Sequence, residues 1–139
     1  MAASDANDGV SGSWKKWNGS DFAISGFDAA TGLGGVDHKI EGLSSIAGAN
    51  PSVMWNSYLK RWVMVYSSWG QAIYMSTSED GLNWEKPISI TDKEEPATYP
   101  NLISSKGDLE GAVIVKIYYG SNQNNLGIRD FAYRTITYR

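Results

Sequence analysis

Cysteine is absent from the 139 residues. That excludes disulfide staples, a thiol nucleophile and any cysteine-ligated metal. Histidine occurs once, as His38, too little for a transition-metal centre, which needs several convergent ligands. Basic residues are fewer than acidic ones, 12 against 15, and nowhere form a stripe, so a nucleic-acid binder is not expected. No apolar run approaches the roughly 20 residues of a membrane-spanning helix, and no membrane partner is expected. Residues 1–13 are small, polar and acidic, without the basic and apolar regions of an export signal. They read as a disordered tail, and the compartment stays open. Helical periodicity is missing too, for no long segment keeps apolar residues 3.6 apart.

Aromatic residues and glycines are plentiful. Six Trp, eight Tyr and three Phe sit among 15 Gly, a combination that suits half-buried pleated strands joined by tight turns. The clearest stretch is 50–90. Strands are expected over 52–55, 62–66, 72–77 and 84–90, with turns around Asn56 to Arg61 and at Glu79-Asp80-Gly81. Four short antiparallel strands in about forty residues make one blade of a propeller. The pattern then restarts: Tyr99-Pro100-Asn101-Leu102-Ile103 parallels Asn50-Pro51-Ser52-Val53-Met54 at a distance of 49 residues. Strands follow over 112–119 and 131–138. Phe131, Tyr133, Ile136 and Tyr138 do not share one alternating phase, which suggests a bulge there. Before residue 50 only 14–17 and 22–24 read as short strands. The expected fold is therefore all-β, a partial β-propeller of about two to three antiparallel four-stranded blades. The expected divisions are a remnant blade over 14–49, a full blade over 50–90 and a nearly full one over 91–139.

Ser78-Glu79-Asp80-Gly81-Leu82-Asn83-Trp84 resembles an Asp-box, the blade turn of sialidase-like propellers, shortened by one residue. The short form is similar to blade turns of the five-bladed arabinanase and levansucrase-like glycoside hydrolases. In such a turn the aspartate accepts backbone N–H groups, glycine takes a positive φ and tryptophan packs between blades. Ala49-Asn50-Pro51-Ser52-Val53 with its aromatic hairpin, and Trp14-Lys15-Lys16-Trp17-Asn18-Gly19, resemble other pieces of the same blades. The resemblance implies carbohydrate as ligand, and about five blades, or roughly 300 residues, in a complete ring. It also implies that Asn50, Tyr99, Asn101 and the loops at 67–71 and 120–125 share one end of the molecule, with Asp80 at the other.

Glycoside hydrolysis needs two carboxyl groups flanking the scissile bond. The resemblance places an aspartate before the proline of a blade start, but Asn50 and Tyr99 hold those places and neither is a base. Asp37 and Glu41, around His38, are the remaining catalytic candidates, and solvated loop groups are the plainer reading of them. Trp69, set between serine and glycine, suits a sugar-stacking platform, or else packs between blades like Trp62 and Trp84. Gln71, Asn50, Tyr99 and Asn101, with the amides of 122–125, complete the expected sugar-binding set. Trp55, Trp62, Tyr66 and Tyr74 alternate within strands and are read as core.

Taken together, the residues read as a glycan-binding, glycosidase-like propeller module without hydrolytic activity of its own. One alternative is a glycoside hydrolase completed by oligomerisation or by further chain. A second is an interaction module with no small ligand. No cofactor or metal is expected. Two and a half blades cannot close a ring, so a homodimer through blade faces is expected. If the glycan reading holds, a secreted or periplasmic protein is implied.

Overall fold

The computed structural model describes residues 2–4, 14–25, 48–68, 72–92, 96–104, 110–121 and 129–139. The described residues are all-β, and no helix among them is long and apolar enough to cross a membrane. The chain divides into two compact units, Met1–Lys39 and Ile40–Arg139. This division falls inside the span expected as a remnant blade.

In the first unit, β1 (Ala2–Ser4), β2 (Trp14–Trp17) and β3 (Phe22–Ser25) form an antiparallel sheet in that order. Residues 2–4, expected within a disordered tail, are thus paired with 14–16, since an edge strand offers its free N–H and C=O groups to any extended neighbour. The β2–β3 turn is closed by Asn18, whose Oδ1 accepts the N–H groups of Ser20 and Asp21 at 2.8 Å each. Gly19, directly after Asn18, takes φ 110°. Trp17 is buried and meets Phe22 edge to face.

The second unit holds two sheets. The larger runs β7 (Ile88–Ser89), β6 (Ala72–Ser78), β5 (Arg61–Ser68), β4 (Gly48–Asn56) and β9 (Glu110–Gly111). It is antiparallel except for the short parallel pairing of β9 with β4. The smaller runs β11 (Asp130–Thr137), β10 (Ile114–Ser121) and β8 (Ala97–Ser104), all antiparallel. Where a full fourth strand was expected over 84–90, the chain makes one bridge from Trp84 to Ser78 and the two-residue β7. Pro87, which has no N–H to give the ladder, lies between the two, and single bonds from Glu85 N–H to the Thr77 carbonyl and from Ile90 N–H to the Ile73 carbonyl flank these fragments.

The two sheets are one pattern written twice. In β4, Asn50 and Pro51 together oppose the single residue Tyr66, because the register jumps from Ala49↔Ser67 to Ser52↔Val65. In β8, Tyr99 and Pro100 oppose Tyr119, the register jumping from Thr98↔Gly120 to Asn101↔Tyr118. Asn50 has φ 52° and Tyr99 φ 55°, so both bulges open on a left-handed residue followed by proline. The matching that follows pairs β4 with β8, β5 with β10 and β6 with β11. The bulge expected within 131–138 is absent: β11 keeps an unbroken register with β10 from Asp130 to Thr137. Its residues are apolar in both phases because each phase serves a different face. Ala132, Ile136 and Tyr138 turn towards the core, whereas Phe131 and Tyr133 are exposed.

The core lies between the sheets. Met54, Val63, Val65, Ile73 and Met75 of the larger sheet pack with Ala97, Leu102, Val115, Ile117 and Tyr119 of the smaller. Period-two alternation produces this layer, for these positions recur every second residue along each strand. The opposite face of the larger sheet buries Met64, Tyr66, Ala72, Tyr74 and Trp84. Tyr66 and Tyr74 stack at 5.7 Å, and burial pushes the Tyr66 phenol up to about 12, with Tyr74 adding to the shift. Of the four aromatics read as core, these two are buried. Trp55 and Trp62 lie at the far end of that face, edge to face with each other, and Trp62 is 37% exposed. Trp84→Ala is therefore expected to lower stability by about 3–5 kcal/mol. Trp62→Ala should cost roughly 1 kcal/mol or less. Urea unfolding of both variants checks the ordering; equal losses would show that the two tryptophans are packed alike.

Candidate functional site

The bulges decide where polar chemistry gathers. A left-handed residue before proline swings the strand start outward, so Asn50 and Tyr99 stand exposed at the same place in each repeat. For tyrosine this conformation costs about 1–2 kcal/mol, a steric strain that its surroundings must hold. The Arg129 guanidinium lies over the Tyr99 ring at 4.9 Å. One residue beyond Pro100, Asn101 shares a contact with the other repeat: Ser52 Oγ donates to Asn101 Oδ1 at 3.4 Å and accepts the Leu102 N–H at 3.0 Å.

Tyr99 and Asn101 line an open groove of about 500 Å³ with Tyr118, Arg129, Asp130 and Phe131. Its floor is aromatic, because Tyr118 and Phe131 stack at 5.4 Å and Phe131 is 80% exposed. Its rim carries an amide, a guanidinium and a carboxylate. Planar apolar rings beside hydrogen-bonding groups of both signs can receive a ring-shaped polyol: the C–H face lies on an aromatic ring and hydroxyls meet the amide and charges. Among the described residues, Asp130 is the one carboxylate lining this groove. Hydrolysis across it would need a second.

Of the residues expected at the site, the structure brings Tyr99 and Asn101 into one groove. Asn50 does not line it, although it holds the corresponding bulge of the other repeat. Trp69, Gln71, Asp37, His38, Glu41 and the amides of 122–125 lie outside the described residues. Tyr118, Arg129, Asp130 and Phe131 were not anticipated. The signal for Phe131 was present in the strand that is apolar in both phases, which means two faces to fill rather than one bulge.

The Asp80 turn lies at the other end of the larger sheet. It follows Ser78, which pairs with Trp62, whereas Asn50 adjoins the end where Ala49 pairs with Ser67. Asp80 Oδ1 accepts the N–H groups of Leu82 and Asn83 at 2.8 and 2.7 Å and the Ser78 hydroxyl at 3.0 Å. Its Oδ2 accepts the Asn83 side-chain amide at 2.7 Å. Gly81 takes φ 75°, and the Trp84 indole donates to its carbonyl. The aspartate is thus a structural acceptor, and its neighbours Arg61, Glu79 and Glu85 pair among themselves. Among the described residues, no group of three or more acidic or histidine side chains is placed to hold a metal ion.

No protein-family model, curated protein or solved structure matches this chain.

The backbone N–H of Asn83, then that of Leu82, holds the Asp80 carboxyl far below the usual aspartate range. A depressed folded-state value means that the stabilisation is fully present above the ordinary aspartate pKa of about 3.9 and fades as pH falls below it. Asp80→Asn should therefore be less stable than wild type at neutral pH, with the gap narrowing in acid. Urea midpoints measured from pH 7 down to pH about 2 check this, the window being set by that aspartate pKa. A gap independent of pH would show that the ionised carboxylate is not what closes the turn.

Proposed function

We propose that this chain is a glycan-binding module built from propeller-type repeats, binding at the bulge end of its last repeat. The observation that carries the reading is the groove itself. Two residues expected from the repeat, Tyr99 and Asn101, stand in it beside Arg129, Asp130 and the Tyr118–Phe131 ring pair. Strain points the same way. A bulky residue held at positive φ persists where its position serves a purpose, and here the strain sets an aromatic ring on the groove wall. The two sheets supply the propeller part of the proposal, since they repeat in strand order and bulge position and pack face to face as successive blades do.

Binding without turnover follows from the carboxylates. Asn50 and Tyr99 before the blade-start prolines, and Asp130 as the one carboxylate among the described groove residues, support binding without an acid and base pair. The chain should bind arabino-, xylo- or fructo-oligosaccharides, or a sialoside, and leave their aryl glycosides intact.

Isothermal titration with these oligosaccharides is the test. Tyr99→Asn keeps a residue suited to the left-handed bulge, as Asn50 shows, and removes the ring, so binding should weaken by about tenfold or more, some 1.4 kcal/mol, with the fold retained. Asn101→Ala should weaken it comparably. Absence of binding by all these sugars, or binding indifferent to both substitutions, would sink the reading. Clear turnover abolished by Glu41→Gln would put the hydrolase in its place.

A further inference from the structure

The repeat tells what each face of a sheet is for. Superposing the registers sets Met54 on Ile103, Val63 on Lys116, Val65 on Tyr118, Ile73 on Phe131 and Met75 on Tyr133. In the larger sheet that whole row is buried, because the smaller sheet lies on it. In the smaller sheet the same row is open. Phe131 is 80% exposed, Tyr133 59% and Ile103 37%, and Ile114 and Tyr99 extend the patch. Only Lys116 breaks its apolar character, and its ammonium lies over the Tyr133 ring. Contiguous aromatic faces of this kind on water-soluble surfaces mark an interaction site.

We infer that this open face of β8, β10 and β11 is the seat of a second copy of the chain, which docks with the same face across a two-fold axis. The repeat specifies the occupant as an apolar sheet, because that is what covers the corresponding row one repeat earlier. Within the second unit the other sheet faces are already in use. One layer is consumed between the sheets and the opposite face of the larger sheet is buried. Among the described sheets of the second unit, the face that a second copy has left to offer is therefore its own β8-β10-β11 surface. Two such faces pack as aligned sheets do, with Ile103, Tyr118 and Tyr133 interleaving with their counterparts. A face three strands wide and eight residues long spans roughly 400 Å² in projection. The exposed side chains of Phe131, Tyr133 and Ile114 add accessible area to that flat figure.

The seat and the groove overlap, since Ile103, Tyr118 and Phe131 belong to both. Where the row is covered in the larger sheet, the bulge residue Asn50 remains exposed. Tyr99 holds the equivalent place and stays accessible, whereas a docked copy covers the Tyr118–Phe131 ring pair, so a second copy and a sugar compete for that floor. The inference stands on sheet geometry and does not require that a sugar binds.

Light scattering coupled to gel filtration on the full chain reads the result. The wild type should run at twice 15.2 kDa at micromolar concentration. Ile114→Glu with Tyr133→Glu, both outside the groove lining, should run at 15.2 kDa with an unchanged circular-dichroism spectrum. Because the chain has no cysteine, a single introduced thiol reports the docked face. Thr135→Cys, on the open face, should be captured as a covalent dimer by a short bis-maleimide, and Tyr58→Cys, exposed in the turn after β4, should not. A monomeric or open-ended wild type, a dimer that survives the double substitution, or equal capture at both thiols would overturn the proposal.

Discussion

Everything described in the second unit rests on one layer of side chains, the contact of Val63, Val65 and Ile73 with Val115, Ile117 and Leu102. It fixes the spacing of the two sheets. It also fixes their register, because slipping either strand by one residue would turn valines and isoleucines outward. The inner strands β4 and β8 then lie side by side, close enough for Ser52 to reach the backbone of Leu102. Tyr99 and Asn101 owe their position on one rim to this arrangement, since the bulge that displays them lies at the end of a strand clamped from one side only.

Much of this architecture was legible in the residues. The recurrence of proline after 49 positions marked a true structural repeat, because proline in a strand interior demands a bulge or an edge. Its partner tyrosines, Tyr66 and Tyr119, oppose the two bulges. The Ser78 to Trp84 turn was legible for the same reason: its geometry is made by local hydrogen bonds among a few neighbouring side chains. What escaped was everything that depends on the other face of a strand. Phe131 and Tyr133 fall out of phase with Ile136 and Tyr138, a pattern that by itself suggests a backbone irregularity. They are a second apolar surface instead, and a periodicity argument that assumes one buried face misreads such a strand.

The groove escaped for a related reason. Arg129 and Asp130 stand at the start of β11 and come beside Tyr99, on β8, through the pairing of both strands with β10. Nothing local marks such residues. Tyr99 and Asn101 are legible because they belong to the repeat, whereas their neighbours vary between its two copies: Phe131 stands where Ile73 does. The difference between the repeats thus falls on the residues that make the candidate site.

Asn56 carries a consequence for how the chain reaches this state. Fully buried, its amide donates to the Ala112 carbonyl at 2.9 Å while its oxygen accepts the N–H groups of Tyr58 and Leu59. The turn after β4 is therefore locked by a residue whose second partner is 56 positions away. Gly111 leaves no room for error there, because a Cβ on it would come within 2.9 Å of the same amide. Until the later residues arrive, Asn56 is a polar group with no place in an apolar layer, and the first hairpin cannot settle alone. Loop-closure entropy must be met before that contact returns anything. The two sheets should then form together and late, making the assembly a slow, all-or-none folder whose strand edges stand open to other chains for as long as the wait lasts.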